Sequence, residues 1–474
     1  MKSLITNIFL LYNSLLCSFC SNAQNRIIDS LQNILPTQKE DTNKVNTLNA
    51  LSVETYEFNN GVKAMQSAQE ALSLSEKINF QKGKAAAWLN IGVAFYLKTN
   101  FPEAIKNATN ALNLYEQLGD KDGIATVYNS MGNFYWTQSN FPEARRYKLA
   151  ALKIRKELGD KSGIGWAYYR IANLDVYESS FFNALENYYT SLKLFKETGD
   201  KKGIANSFSD IADIYRQQGN YTEALKYEKD ALKLFEELGE RNYISEVYKS
   251  IGDIYFNQGK FSEALKNKED GLKSLDTLFD KHAIGFALMD IANIYVQQSN
   301  YTEALKKDSA ALKLFKELGS QDFIAVPLIN IGRVYEKQGD LALSRGNFLI
   351  MKIKYAEGLK YFLAALKLTE GGKLKEGLYS NYWFIGNIYL KLKDFLAARK
   401  FLEKGLKLVR EFGDKDGMRD SYKALATLDS AEGKLGQAYV NYRMYILYRD
   451  SISNEESTKK IAQLNMQHEF DNKE

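Results

Sequence analysis

The chain has 474 residues, of which 45% are hydrophobic and 26% are charged, a composition typical of globular rather than disordered proteins. Its formal net charge of +5 is small for this length and gives no indication of nucleic-acid binding. The sequence contains only two Cys and two His, and it lacks phosphate-binding, metal-binding and nucleophile motifs. We therefore expect a non-catalytic protein with no metal and no cofactor.

The first residues have the pattern of a secretory signal peptide. Lys2 supplies a positive start, residues 4–19 are mostly apolar, and Ser21 and Ala23 place small residues before a possible cleavage point. The apolar run is too short for a membrane-spanning helix, which needs about 20 residues. We predict that residues 1–23 are removed after Ala23 and that the protein is secreted or periplasmic. The alternative is an uncleaved N-terminal anchor.

The rest of the chain is repetitive. An Ile-Gly or Ile-Ala pair, usually with Tyr three residues after it, recurs every forty residues, apart from one interval of 54. This spacing predicts ten units, and the first residue of each pair stands at 51, 91, 131, 171, 211, 251, 291, 331, 385 and 425.

Each unit has the pattern of a helical hairpin. In residues 248–255, apolar or small side chains fall at 248, 251, 252 and 255, which is the spacing of one helix face. A turn follows at Gly219 or Gly259, and Pro102 and Pro142 stand where a second helix begins. We interpret the small residue in mid-helix, such as Gly92, as the point where an Ala of the second helix packs closely.

These features resemble the tetratricopeptide repeat family in its forty-residue form. The matching elements are the aromatic-x-x-[Ile/Leu]-[Gly/Ala]-x-x-Tyr segment, the Ala that opens the second helix (Ala144, Ala224, Ala264) and the Ala or Gly seven positions later (Ala151, Ala231, Gly271, Ala311). The resemblance covers about 45–450 and implies an all-α fold, a right-handed α-solenoid of about ten stacked units over 24–450, whose first helices line a concave groove. The repeat departs from the family pattern at Asp175 and Asp429, which replace Tyr, and at Pro327, which should kink or shorten its helix. We interpret these positions as weak points in the stack.

A row of polar residues follows the repeat two positions after each Ile. Such residues could bind the backbone of an extended peptide, or they could bridge helices within the array. Arg170 and Arg216 lie near the same stripe and could add charge selectivity. The mixed signs predict a groove that is acidic in the middle and basic near Arg333. The predicted peptide-binding residues are Asn133, Asn173, Asp213, Asp253, Asn293, Arg333, Asn387, Arg170 and Arg216.

The long interval contains an insertion of fourteen residues at about 341–354. We expect a lengthened second helix with Gly346 as its weak point; the alternative is a protruding loop that exposes residues 348–351. Residues 451–474 are predicted to form a polar helix or tail.

Two functions are compatible with this sequence. The first is an exported scaffold that binds a protein or peptide partner, without nucleic acid and without a membrane span in the mature chain. The alternative rests on the similarity to the extracytoplasmic repeat region of bacterial sensor proteins. In that case the chain is the sensory half of a membrane signalling protein, such as a histidine kinase, that lacks its output domain.

Overall fold

A computed structural model describes residues 23–57, 61–275, 280–370 and 375–471. The predicted signal peptide, apart from Ala23, lies outside the described residues. The regular structure of the described residues is helical throughout, without β-strands. They form two compact units, which divide between Val247 and Tyr248.

The N-terminal unit contains a short leading helix followed by repeated helical hairpins. A 3₁₀ turn at Leu35–Thr37 separates the leading helix from the first repeat. The helices are α1 (Ala23–Ile34), α2 (Thr42–Glu57), α3 (Gly61–Lys77), α4 (Gln81–Leu97), α5 (Phe101–Leu118), α6 (Lys121–Thr137), α7 (Phe141–Leu158), α8 (Lys161–Tyr177), α9 (Phe181–Thr198), α10 (Lys201–Gln217), α11 (Tyr221–Leu238) and α12 (Arg241–Asn257), which runs across the division.

The C-terminal unit continues the same hairpins. Its helices are α13 (Phe261–Ser274), α14 (Lys281–Gln297), α15 (Tyr301–Glu317), α16 (Gln321–Ser344), α17 (Phe348–Glu370), α18 (Lys375–Lys391), α19 (Phe395–Phe412), α20 (Lys415–Ala431) and α21 (Leu435–Asp471). The predicted polar tail is therefore helical as far as Asp471, continuous with the second helix of the last repeat.

Recurring caps set the helix boundaries. Gly119 ends α5 with a φ of +65°, and the side chain of Asp120 accepts a hydrogen bond from the N–H of Gly123 at 3.0 Å. Inside a repeat, Asn220 caps the second helix by accepting from the N–H of Glu223 at 3.3 Å. These bonds satisfy backbone N–H groups that have no partner within the helix, and they explain why Gly-Asp and Gly-Asn pairs recur in the sequence.

Small residues allow the two helices of a repeat to approach closely. A Cβ atom placed on Gly92 would lie 3.0 Å from the carbonyl oxygen of Ala104 and 3.3 Å from the backbone nitrogen of Ala108. This contact confirms the interpretation of the small mid-helix residue. Among the described repeats, the Ala at the start of the second helix is completely buried in eight, at Ala64, Ala104, Ala144, Ala184, Ala224, Ala264, Ala304 and Ala398.

Within each unit, the second helix of a repeat packs on the first helix of the next. One apolar cluster in the N-terminal unit, for example, joins Ala104 and Tyr115 of α5 to Phe134 of α6. A core that runs continuously through stacked hairpins is characteristic of an α-solenoid, and the predicted fold class is confirmed. Among the described residues, no helix combines the length and the apolar character needed to cross a bilayer.

The inserted residues extend both helices of the eighth repeat. The first helix continues to Ser344 and has 24 residues instead of 17, and the second begins at Phe348, seven residues before Tyr355, where the repeat spacing would start it. The predicted lengthening of the second helix is confirmed, but the first helix is lengthened as well, and the alternative of a protruding loop is wrong. The reason is that Gly346, with a φ of +71°, and Asn347, which accepts from the N–H of Ile350 at 3.0 Å, reproduce the Gly-Asn turn of other repeats. Seven residues are about two helical turns, which keeps the inner faces in phase.

The positions that we interpreted as weak points are well packed. The carboxylates of Asp175 and Asp429 are buried, and each binds an Arg and an Asn (Arg145 and Asn187, Arg399 and Asn441). Pro327 does not shorten its helix, because α16 continues for 24 residues.

Candidate functional site

The predicted groove residues all lie on first helices. In the N-terminal unit, Asn133, Asn173 and Asp213 are half-buried. In the C-terminal unit, Asp253 and Asn387 are half-buried, whereas Asn293 and Arg333 are exposed.

Three of these residues bridge the helices of their own repeat; one is Asp253, which pairs with Lys268 at 2.6 Å. The amide oxygen of Asn133 accepts a hydrogen bond from the Lys148 ammonium group at 2.7 Å, and that of Asn173 accepts from the hydroxyl group of Tyr188. Asp213 instead pairs with Arg216 one turn later on the same helix. The bridging interpretation therefore holds at Asn133, Asn173 and Asp253, and the structure brings Arg216 to Asp213.

The bridging partners belong to a buried polar column that our sequence reasoning missed. Each member of the column stands sixteen residues after the small residue of the Ile pair. The eighth and ninth repeats, after allowance for the inserted residues, have the apolar Phe362 and Leu402 at this position. Burying a charge costs several kcal/mol unless the charge is paired. Polar residues at a position that is otherwise apolar in the repeat could therefore have indicated this column from the sequence. The members, each at most 5% exposed, are Lys148, Tyr188 and Glu228 in the N-terminal unit and Lys268 and Asp308 in the C-terminal unit.

Lys148 is a buried cation beside a second cation. Its Nζ lies 5.7 Å from the centroid of the Trp136 ring, and none of the acidic side chains among the described residues forms an ion pair with it. Burial lowers the pKa of Lys148 well below its ordinary value, and the positive charge of Arg170 lowers it further. Arg170 itself stacks over the ring of Trp166 at 5.5 Å. The Lys148 side chain and the Arg170 guanidinium group therefore influence each other electrostatically in this part of the N-terminal unit.

The repeat after that of Arg170 carries two acidic groups: Asp210, equivalent to Arg170, and Glu228, equivalent to Lys148 two repeats earlier. Burial raises the pKa of Asp210 to about 7; a hydrogen bond from Tyr169 opposes this shift and the charge of Asp213 adds to it. Glu228 is 1% exposed and accepts a hydrogen bond from the Ser209 hydroxyl group at 3.1 Å. The N-terminal unit thus carries cationic and acidic surfaces on consecutive repeats.

In the C-terminal unit the buried column is better compensated. Lys268 lies 2.6 Å from Asp253 and 2.8 Å from Asp290, so two carboxylates neutralise one ammonium group. Asp308 accepts a weak hydrogen bond from Asn330 at 3.4 Å, and burial raises its pKa to about 7 although Asn330 and Arg333 act in the opposite direction.

The remaining predicted positions are held differently. Arg333 lies over the ring of Phe384 at 5.8 Å, and the Asn387 amide donates to the carbonyl oxygen of Trp383 on its own helix. Within the described part of the chain, no three His, Cys, Asp or Glu side chains cluster as metal ligands. The arrangement is suited to binding polar and charged groups of a ligand.

The stacked hairpins and their polar first-helix surfaces define a class of α-solenoid repeat proteins. The tetratricopeptide repeat family model matches residues 83–157, 163–237, 204–276 and 284–349, which is more than half of the chain, and a second tetratricopeptide repeat model matches 379–412. The chain belongs to the tetratricopeptide repeat family. No curated protein matches it.

Several solved structures have a similar fold. A signal transduction ATPase with numerous domains and a tetratricopeptide repeat sensor, from Pyrococcus horikoshii, aligns with a TM-score of 0.50 at 16% identity over 94% of this chain and 68% of that one. The apo quorum sensor NprR from B. thuringiensis aligns with a TM-score of 0.48 at 15% identity over 74% of this chain and 97% of that one. A Rap protein complexed with Competence and Sporulation Factor gives 0.45 and 13%, over 79% and 99%. At these identities the likeness concerns the fold alone.

Proposed function

We propose that the chain is an exported, non-catalytic scaffold that binds a protein or peptide on its first-helix surface. Membership of the tetratricopeptide repeat family supports a role in protein interaction. The observation that carries the proposal is Lys148, whose ammonium group is buried against a neutral amide oxygen and close to Arg170. A ligand that brings a negative charge would offset the cost of burying the protonated Lys148 side chain beside Arg170.

The surface favours an extended peptide of mixed charge. A ligand carboxylate would pair with the Arg170 guanidinium group, and the amide group of Asn133 would donate to a ligand carbonyl. Lys148 is 2% exposed and would act on the ligand through its charge. A cationic or donor group fits beside Asp210 and Asp213 in the next repeat. Packed helices lie about 8–10 Å apart and an extended chain rises about 3.3 Å per residue, so the two ligand groups are expected about three residues apart. By the same reasoning Asn173, Asp253, Asn293, Arg333 and Asn387 are further candidate contacts.

Peptide-array binding tests this proposal. The full chain is applied to immobilised peptides in which one acidic and one basic residue are separated by different spacings, and the best peptide is then titrated. Arg170→Ala and Asn133→Ala are expected to weaken binding about tenfold each, as expected for loss of a charged or polar contact. Lys193→Ala, on the exposed surface of α9, is the matched control and should bind like the wild type. The proposal is wrong if all three variants bind equally while their melting curves are unchanged.

Export is a separate part of the proposal. Its support is the charge, apolar run and small residues of positions 1–23. N-terminal sequencing of the protein recovered from cell fractions should give Gln24 as the first residue of an extracytoplasmic form. A cytoplasmic protein that begins at Met1 contradicts it.

A sensory role is the second candidate. It is favoured by α21, a 37-residue helix that runs well past the final hairpin. The similar Pyrococcus horikoshii protein has a tetratricopeptide repeat sensor. In a sensor, a peptide bound near Lys148 should change hydrogen exchange in residues 435–471 as well as at the binding surface. In a passive scaffold, protection should change only at the binding surface.

A further inference from the structure

The end of the eighth hairpin exposes an apolar surface. Residues 341–354, here called the hairpin tip, include Phe348 and Leu349, which are 62% and 72% exposed. Leu341, Leu343, Ile350 and Ile353 are also exposed. The helices are joined through Ala342 and Met351, which are buried, so the exposed side chains are not needed to hold the hairpin together.

The hairpin tip is also basic. It contains Arg345, Lys352 and Lys354 and no Asp or Glu. Arg345 and Lys352 are exposed, and the Lys354 ammonium group lies 5.4 Å from the centroid of the Tyr335 ring. The acidic residue just before the tip, Asp340, is already paired with Lys391 at 2.8 Å. Positive charge therefore surrounds the exposed apolar side chains.

The tip is a firmly held, convex end. Lys391, on the first helix of the ninth repeat, contacts both Glu336 at 2.6 Å and Asp340, and Tyr355 donates to Asp340 at 2.6 Å. Asn347 caps the N-terminus of α17, which satisfies a backbone donor at the outermost turn. The tip adds seven residues, about 10 Å, to the end of each helix.

We propose that the hairpin tip binds the surface of an anionic lipid bilayer. Phe348, Leu349 and Ile353 enter the boundary of the acyl chains, and Arg345 and Lys352 contact the negative headgroups. A bilayer accepts a convex apolar end without offering a complementary pocket, and its charge is opposite to that of the tip. A second copy of the chain fits less well, because it would place the same cations against each other.

Vesicle co-sedimentation of the full chain tests the proposal. The wild type should sediment with vesicles of phosphatidylcholine and phosphatidylglycerol, less with phosphatidylcholine alone, and less at high salt. Phe348→Ser with Leu349→Ser, and Arg345→Glu with Lys352→Glu, should each reduce binding about tenfold or more. Leu396→Ser is the matched control, because Leu396 is 84% exposed beside the turn of the ninth hairpin, and this variant should bind like the wild type.

Two further measurements make the result decisive. The emission of Phe348→Trp should shift to the blue when anionic vesicles are added, whereas that of Leu396→Trp should not. Deletion of residues 341–354 joins Asp340 to Tyr355, as Asn220 joins Tyr221 in a normal repeat, and tests the tip even if the serine variants disturb the hairpin. Circular dichroism melts verify that each variant is folded.

Three outcomes overturn the proposal. The first is that the wild type does not bind the anionic vesicles. The second is that it binds them equally well without residues 341–354. The third is that the wild type is a dimer, that the tip variants are monomers, and that none of them binds vesicles; the tip is then a protein contact.

Discussion

The guanidinium group of Arg145 donates to the buried carboxylate of Asp175 at 2.6 Å, from the second helix of one repeat to the first helix of the next. The other carboxylate oxygen of Asp175 accepts from the Asn187 amide at 2.7 Å. Asp429 has the same arrangement with Arg399 and Asn441, and in both cases the Arg stands thirty residues before the Asp. In each case an Arg and an Asn accompany the Asp that replaces the usual Tyr. Their hydrogen bonds to the carboxylate explain how the repeat tolerates its burial.

We expect Asp175→Ala to destabilise the N-terminal unit by about 2 kcal/mol, because it leaves Asn187 without its buried acceptor and Arg145 with Glu178 as its carboxylate partner. Asp175→Tyr, which restores the family residue, should lower the free energy of unfolding by a similar amount. The loss should shrink when Arg145 and Asn187 are also replaced. Urea denaturation monitored by circular dichroism measures both changes, and Asp429→Ala is the matched variant in the C-terminal unit. A loss of less than about 0.5 kcal/mol in either Ala variant contradicts the arrangement as a stabilising contact.

Two lysines of the buried column should respond in opposite ways to the same substitution. Lys148→Met is expected to raise stability by about 1 kcal/mol at neutral pH, because it removes a buried cation that has no carboxylate partner. The sign follows from the lowered pKa of Lys148. Below pH 10.5 the unfolded chain binds a proton at Lys148 more tightly than the folded chain does, so protonation favours unfolding in that pH range. Urea denaturation at pH 7 measures the effect, and peptide binding should fall in the same variant.

Lys268→Met should instead lower stability by about 1–2 kcal/mol, since it leaves Asp253 and Asp290 facing each other without their shared ammonium group. Gly252 packs against the Lys268 stem, so a Met side chain of similar volume fits the space. Equal effects of the two substitutions would show that neighbouring carboxylates do not decide the energetics of this column.

Asp210 and Asp308 make stability depend on pH in the acidic range. Burial raises the pKa of each to about 7 from an ordinary 3.8, so the folded chain binds these protons more tightly than the unfolded chain. Their contribution to stability is therefore present below about pH 4 and is lost as pH rises to about 7. The variant with Asp210→Asn and Asp308→Asn should gain roughly 4 kcal/mol for each carboxyl group relative to the wild type over this interval. Parallel stability curves for the two proteins, measured by urea denaturation at several pH values, contradict this prediction.

The sequence predicted those parts of the fold that depend on local chemistry. The Ile pairs, the close contact at Gly92 and the Gly-Asp turns follow from helix periodicity, small size and capping, which neighbouring residues determine. Among the hydrogen-bond partners of Lys148 and Asp175 are Asn133 and Arg145, which lie 15 and 30 positions away in the sequence. A local sequence pattern does not predict such contacts. The predicted groove residues lie on first helices as expected, but three of them already bind a second helix.

The eighth hairpin shows most clearly where local patterns are insufficient. Gln218-Gly219-Asn220 forms a turn, with Gly219 at a φ of +77°, whereas the similar Gln338-Gly339-Asp340 lies inside α16. The helix continues because Gly339 packs under the Tyr355 ring, where a Cβ atom would lie 2.4 Å from a ring carbon. A contact sixteen residues away therefore overrides the turn sequence.

Deletion of residues 341–354 should return this sequence to a turn. Gly339 would then adopt the left-handed conformation of Gly219, and Asp340 would cap a second helix that begins at Tyr355. The buried side chains that are lost are Ala342 and Met351, so we expect the free energy of unfolding to fall by no more than about 2 kcal/mol. Deletion of residues 348–354 alone is the control: it leaves the extended end of α16 without a partner and should cost more. Urea denaturation compares the two variants, and an equal or larger loss in the longer deletion would show that the insertion is required for folding.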